Sequence, residues 1–599
     1  MGNTLPLLLM SALLPEVRAR TRVAVIGAGA AGLITTEVLS RRGLSVTTFE
    51  RSLHVGGVWR YNPQSSTEAM YPTLRTNLPS EIMGFSPDAP LPRSGSGSSY
   101  PTHAEVQAYL ERFAQERRLL DKISFGTEVV RAEKSTAGDG SKRGWTLTTK
   151  RMRIGVIDQE EDGEPSVGSS STAEFDCLVV ANGHFSVPFM PTLPGSEHLQ
   201  KAGVRVMHSQ EYDGPSEAVF GGRTVLLVGG RSSGTDIARE ISQLKGTVVH
   251  SSDRNVLSPS DGSNAMKGAA TVTQQKGGGI NHHGAVVSVG EDGSVAFADG
   301  SEIVRVDVLV WCTGYLYDFP FLDLTRRQGQ GEGEGEGVWL NSGKRQVRGL
   351  YQHLFAADDP TLAFIGLPFS VVPFPLFTLQ AEWLGSLLDG SASAPLPPIE
   401  QRIEAARQHD ATRAARGLLN DSKYHYMGSG GEQWDYLRKL VQLSGLDAAV
   451  QSGAMAMATA AGAGAGAGSS GVPSSAPSSN SNSNSNSNSI HKHPCKDLQY
   501  TGYIQALEDI YNDNAAQRPR FVGAEDLYRS SAYSLWLTCP SEDQGQGQGQ
   551  GQDQGGWRWS VQRGGRVEGS VVGCAGPEPG PEPGPGPEPG PGPGPGPGL

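Results

Sequence analysis

Apolar residues in this chain recur at two spacings. Short runs rich in β-branched residues, Arg22-Val-Ala-Val-Ile26, Ser45-Val-Thr-Thr-Phe49, Arg223-Thr-Val-Leu-Leu-Val228 and Thr247-Val-Val-His250, predict strands buried on both faces. Within each pair of runs, apolar residues at helical spacing predict a helix. The first runs from about Ala30 to Arg42 and is ended by Gly43; the second runs through Ile237 to Leu244 and is ended by Gly246. Cys177 and Cys312 lie within or at the end of further apolar, strand-like runs and read as core thiols. Two strand-helix-strand units about 200 residues apart predict an α/β fold with two doubly wound, Rossmann-like domains, the second inserted into the first.

The turns joining strand to helix carry the candidate chemistry. Gly27-Ala-Gly29-Ala-Ala-Gly32 is a GxGxxG that opens the first helix, and Glu50 follows the next strand. There a carboxylate accepts hydrogen bonds from a ribose 2′-hydroxyl while a pyrophosphate lies against the helix N-terminus. Glycine turns without a ligand are common, but here strand, helix and acid all stand at the required spacing. The second turn, Gly229-Gly-Arg-Ser-Ser233-Gly234, has Arg231 at the middle glycine. Its strand leads to Ser251-Ser252-Asp253-Arg254, where a guanidinium suits the 2′-phosphate of NADPH; a surface arginine on a loop is the alternative. Two dinucleotide sites imply two electron carriers, FAD at the first and NADPH at the second. The five cysteines are scattered, with no CxxC or CxxxxC, so a thiol-disulfide acceptor is excluded in favour of oxygen or a diffusible molecule.

With these features in place, the chain resembles the flavin-containing monooxygenases, most closely the plant and fungal branch that includes the glucosinolate S-oxygenases. The resemblance runs from about Val23 to Leu446, with a weaker patch from Leu498 to Tyr533. It rests on Phe49-Glu50-Arg51, Val55-Gly56-Gly57-Val58-Trp59, Tyr71-Pro-Thr-Leu-Arg-Thr76-Asn77-Leu78-Pro79, Tyr100-Pro-Thr-His103, Val180-Ala-Asn-Gly-His184 and Trp311-Cys-Thr313-Gly314-Tyr315. It implies flavin contacts at Arg51, Gly57, Trp59 and Thr76, a catalytic Asn77 beside the flavin ring, and cofactor contacts at Thr313 and Gly314. A turn-stabilising role before Leu78-Pro79 is the other reading of Asn77. The family's linker signature is present in His208-Ser-Gln-Glu-Tyr212, while Lys201 and Gly203 stand one residue too far upstream, an insertion that leaves His208 and Tyr212 as the cofactor candidates. Related Baeyer–Villiger enzymes carry tryptophan where Tyr212 stands, which tilts the implied chemistry towards heteroatom oxygenation. The implied reaction inserts one atom of O2, through a C4a-hydroperoxyflavin, into a sulfide or amine of a small molecule. A Baeyer–Villiger or uncoupled NADPH oxidase activity, and a non-catalytic nucleotide-binding protein, remain open.

Composition sets the limits of the packed regions. Only 37% of the residues are hydrophobic and 79 of 599 are glycine, and the low-complexity tracts have no apolar face to bury. The predicted order is an extension at 1–19, a FAD domain at 20–191 and 313–450 with a low-complexity insert at 328–337, and an NADPH domain at 192–312. A disordered linker at 451–490, a helical C-terminal segment at 491–540 and a disordered tail at 541–599 follow. Leu362 to Leu379 is apolar, but its prolines suit a buried loop better than a spanning helix, so no transmembrane anchor is expected. Scattered cysteines favour the cytoplasm, with a targeting segment at Leu5–Leu14 as the alternative. A net charge of −12 argues against nucleic acid. His282-His283 and His491-Lys-His493 read as loop histidines, with no metal site expected.

Overall fold

The computed structural model describes residues 21–63, 69–136, 142–152, 169–252, 271–273, 280–324, 337–419, 422–428, 431–446, 500–517, 532–538 and 558–564. Arg254, residues 1–19, the insert at 328–336, the linker at 451–490 and the histidines at 491 and 493 lie outside these residues.

Two mainly parallel sheets form the frame. In the first, the strands run in the order Leu350–Tyr351, Phe355–Ala356, Leu362–Phe364, Cys177–Val180, Arg22–Ile26, Ser45–Phe49, Ile123–Ser124, the last five of them parallel. In the second, the order is Thr271–Thr273, Ile280–His283, Gly246–Ser251, Arg223–Val228, Val308–Trp311, Arg205–His208, parallel except for the first. In the first sheet the chain starts at the central strand Arg22–Ile26, moves outward to one side, then crosses to the other; in the second it enters at the edge strand Arg205–His208, passes to the central Arg223–Val228, moves outward and crosses back at Val308–Trp311. The crossing leaves a crevice beyond the carboxyl end of the central strand, where such folds bind ligands. The central strands are apolar throughout because both faces are covered: Val23, Ala24, Val25, Val225, Leu226 and Leu227 have no exposed surface.

Two antiparallel leads join the sheets. Val187–Pro188 pairs with Tyr315–Leu316, and Phe189 N donates to Gly314 O at 2.9 Å. Chain therefore enters and leaves the second sheet through one narrow ribbon.

Leu362 to Leu379 departs from the loop expected of it. Leu362–Phe364 is a strand and Pro373–Asp389 a buried 17-residue helix, with Pro373 and Pro375 in its first turn, where a missing N–H leaves no helical bond unmade. That helix packs against Ala30–Arg41, and its buried Glu382 receives Arg41 and, at 2.6 Å, Arg42. Arg42 is the enclosed partner, 13% exposed against 49% for Arg41, so the Glu382–Arg42 pair carries more of this contact. Helices Ile399–Ala415, Glu432–Ser444 and Tyr500–Gln517 complete the C-terminal lobe. Within the segment expected to be helical up to 540, Ala532–Thr538 is instead a strand paired with Arg558–Gly564, inside the expected tail; alternating Tyr533, Leu535 and Leu537 gave a strand signal. His282 and His283 likewise lie in a strand and are half-buried, because His282 pairs in register with His250. No described helix is long and apolar enough to cross a membrane.

Candidate active site

In the first turn, Gly27 has φ +101°, and a Cβ there would stand 2.6 Å from Ala181 O at the end of the neighbouring strand. A Cβ on Gly32 would stand 1.8 Å from Gly27 O, so the helix can pack on the turn only without a side chain. Gly29 is the N-cap of the helix, with no side chain satisfying its first turn, and it bridges to Gly56. A Cβ on Gly57 would come within 2.9 Å of Gly29 Cα, so the two glycine turns face each other through bare backbone. Glu50 is 8% exposed and accepts from Ala28 N and Ser52 N, both at 2.8 Å, which fixes its carboxylate at the strand end. Arg51 is exposed nearby, and half-buried Trp59 packs edge-on against Phe374. Gln107, which motif reading missed, donates to Val55 O at 2.9 Å and supports the Gly56-Gly57 loop. Its helix was legible from the Thr102/Glu105 capping box.

The second turn repeats these contacts. Gly229 N donates to Ser251 O at 2.9 Å as Gly27 N does to Phe49 O at 2.8 Å, and a Cβ on Gly234 would stand 1.9 Å from Gly229 O. Matched this way, Arg231 stands where Gly29 stands and Ser252 where Glu50 stands. Arg231 keeps the extended N-cap backbone of Gly29, with ψ −174° in both. Its guanidinium turns out over the rings of Phe369 and Tyr426, 5.0 and 4.9 Å from their centroids. Ser233 is exposed at the helix start. Buried His250 contacts Gly229 O through Nε2 at 2.9 Å, and burial holds its pKa below the usual histidine value.

Asn77 reaches the second turn. Its Nδ2 donates to Ser232 Oγ at 2.7 Å, at the first residue of the helix Ser232–Ile241. Glu240 on the same helix accepts from Thr73 at 2.9 Å and from Tyr212 at 2.7 Å. The Tyr212 hydroxyl is thus engaged within the protein, and its ring packs on Tyr71. His208 is engaged as well: Nδ1 accepts from Gln210 N at 3.1 Å, which leaves the proton on Nε2 for Gly314 O at 3.1 Å. Burial lowers its pKa to about 4, so it is neutral. Both residues, expected as cofactor contacts, have their polar groups occupied within the protein, Tyr212 inside the second sheet's unit and His208 at the lead glycine Gly314. Gly203, at φ +76°, turns the chain between helix Glu197–Lys201 and strand Arg205–His208. Thr313 donates to Phe189 O beside Gly314, which has φ +81°. Cys177 and Cys312 are buried free thiols whose pKa values burial pushes up to about 12, unsuited to thiolate chemistry.

The flavin-binding monooxygenase-like family model matches residues 20–261 and 276–445. The chain belongs to this family. It is 34% identical over 453 residues to the flavin-containing monooxygenase FMO GS-OX-like 2 of Arabidopsis thaliana, covering 71% of this chain and 87% of that protein. Among solved structures it is similar to the S-allyl-L-cysteine S-oxygenase of Allium sativum, 31% identical with a TM-score of 0.57, covering 71% of this chain and 89% of the other. Tmm from Pelagibacter sp. strain HTCC7211, at 22% identity and TM-score 0.50, shares the fold over 70% of this chain and 86% of its own. As a flavin-containing monooxygenase, the protein is an NADPH- and FAD-dependent oxidoreductase.

The residues present in this monooxygenase fit both cofactors. Neither fingerprint helix has a side-chain cap, so first-turn N–H groups face each crevice for a pyrophosphate. Thr76 is 3% exposed, and its Oγ1 is buried with no hydrogen-bond partner among the described residues, a hydroxyl left for a ligand beside Asn77.

Proposed function

We propose that this monooxygenase inserts one oxygen atom into a soft nucleophilic heteroatom, a thioether sulfur first and an amine nitrogen second, of a small molecule. The observation that carries this reading is the Asn77 contact: an uncharged carboxamide, next in sequence to the buried Thr76, donates to the first residue of the second fingerprint helix. In the overall balance, NADPH provides hydride and a proton comes from solvent; one atom of O2 goes to the substrate and the other leaves as water. FAD, when bound and reduced, activates the oxygen.

The chain's own residues then bind, orient and exclude water. Gly27, Gly29, Gly32 and Gly57 let the FAD pyrophosphate approach backbone N–H groups, Glu50 holds the ribose hydroxyls, and Arg51, Trp59 and Thr76 line the flavin. Gly229, Ser233 and Gly234 receive the NADPH pyrophosphate, and Arg254 pairs with its 2′-phosphate. Thr313, Gly314, His208 and Tyr212 hold the linker that brings the two cofactors together. Asn77 both donates and accepts without adding charge, so it can hydrogen-bond at the flavin without driving proton transfer. The name of the Allium sativum relative supports sulfur as the first substrate class to try. The test is a screen of NADPH oxidation against oxygenated product over thioethers, tertiary amines and ketones. Sulfoxide or N-oxide formation supports the reading; ester formation from ketones, or peroxide with every substrate, overturns it.

A further inference from the structure

Asn77 and Ser232 are 155 residues apart in the chain and share a 2.7 Å hydrogen bond. Ser232 is the first residue of the second fingerprint helix, directly after the uncapped N-cap Arg231. The equivalent position of the first fingerprint is Ala30, buried and without a polar group, so the helix start does not need a hydroxyl. The same helix is fastened to the flavin side at both ends: Arg231 over Phe369 and Tyr426 at its start, and Glu240 to Thr73 at 2.9 Å near its end. Ser232 is therefore held at a fixed position relative to Asn77 by contacts that do not involve either residue.

Resting on the reading of Asn77 given above, we infer that Ser232 is a positioning residue that couples the nicotinamide crevice to Asn77. A carboxamide is planar, with a donor end and an acceptor end. Tying Nδ2 to Ser232 Oγ decides which end turns towards the first crevice. The serine oxygen accepts from Asn77, and its own proton remains to be donated to a phosphate oxygen at the helix end. A hydroxyl that donates to an anion becomes a better acceptor. Nicotinamide nucleotide at this helix therefore tightens the hold on Asn77, so the carboxamide is oriented when the nucleotide is present and loosened when it leaves.

The experiment compares Ser232→Ala, Ser232→Thr and Asn77→Leu holoenzymes with the parent. Two quantities are read: hydrogen peroxide released per NADPH consumed, and the change in the flavin absorption spectrum when NADP+ is added to saturation in the oxidised enzyme. Ser232→Ala is expected to raise peroxide release by roughly twofold to tenfold, the range of one neutral hydrogen bond, and to shrink the NADP+-induced spectral change. Ser232→Thr, which keeps the hydroxyl, restores both. A merely structural serine would alter thermal stability and leave the spectral change at the parent's size. If Asn77→Leu uncouples the enzyme while Ser232→Ala matches the parent in both readouts, this inference falls and the reading of Asn77 stands. If Asn77→Leu leaves coupling unchanged, both fall together.

Discussion

The two fingerprints are nearly one backbone carrying two chemistries. Gly27 and Gly229 make the same turn, and Gly32 and Gly234 leave the same gap beneath it. They differ where a ligand's identity is read. At the strand end the first site offers Glu50 and the second Ser252; at the helix cap the first offers Gly29 and the second Arg231. Behind the turn, the first site has Thr48 bonded to Thr36 at 2.6 Å, and the second has His250 on Gly229 O. Glycines at the fold-making positions are thus shared, and the side chains that differ are those the proposed function turns towards the two cofactors.

The largest effect expected from this division is at Gly32. Gly32→Val forces carbon into space occupied by Gly27 O, and overpacking alone costs on the order of 1–3 kcal/mol; the purified protein should carry no flavin at 450 nm. Gly29→Ala separates fold from ligand. Its Cβ would stand at ordinary contact distances from the Gly57 backbone, 3.5 Å from Cα and 3.9 Å from N, so the chain should fold normally and still lose FAD to the pyrophosphate clash. Flavin content at the parent's level in Gly29→Ala would show that no pyrophosphate approaches there.

Next in size is the choice of nicotinamide. Ser252→Glu gives the second site the acid of the first, which repels a 2′-phosphate and accepts a 2′-hydroxyl, so the ratio of kcat/KM for NADPH over NADH should fall by roughly ten- to a hundredfold. Arg254→Ala should lower NADPH use by roughly the same factor and leave NADH use untouched. Equal loss with both nucleotides would mean that the strand end supports the fold and does not read the phosphate.

Acid should act on the histidine behind the second turn. His250, His282 and His208 are held neutral by burial, the last two with pKa values of about 4. Because their folded values lie below the unfolded value near 6.5, their stabilisation is complete above about pH 6.5 and declines as pH falls, for His208 and His282 towards 4. His250→Gln cannot be protonated and keeps a donor for Gly229 O. Its melting temperature should fall less than the parent's between pH 7 and pH 5, and parallel curves for the two proteins would refute the assignment. The smallest effect belongs to Arg231→Gly, which restores the glycine but removes two ring contacts. A loss of about 0.5–1 kcal/mol, read as a lower melting temperature with flavin content unchanged, is expected.

What the sequence made legible was local. Arg22–Ile26, Ser45–Phe49 and Arg223–Val228 have the limits their apolar runs mark, because a buried parallel strand is apolar along its whole length. The second helix is Ser232–Ile241, shorter than its apolar residues suggested, and Gly246 opens the next strand instead of capping the helix. Pro373 was read as a breaker when it is a helix start, since the residue alone does not say which side of the boundary it stands on. The contacts between the two units left no local signal: Asn77 with Ser232, Arg231 with Phe369 and Tyr426, and Thr73 with Glu240 are brought together only by the packing of two sheets.

The paired leads Val187–Pro188 and Tyr315–Leu316 have a mechanical consequence. Two hydrogen-bonded leads oppose rotation between the sheets more than a single strand does, and His208 braces this pair at Gly314. Together with Arg231 over Phe369 and Tyr426 and Glu240 on Thr73, they hold the nicotinamide unit at one orientation to the flavin unit. A unit held in this way would present the same side of a bound nicotinamide ring to the flavin at every turnover.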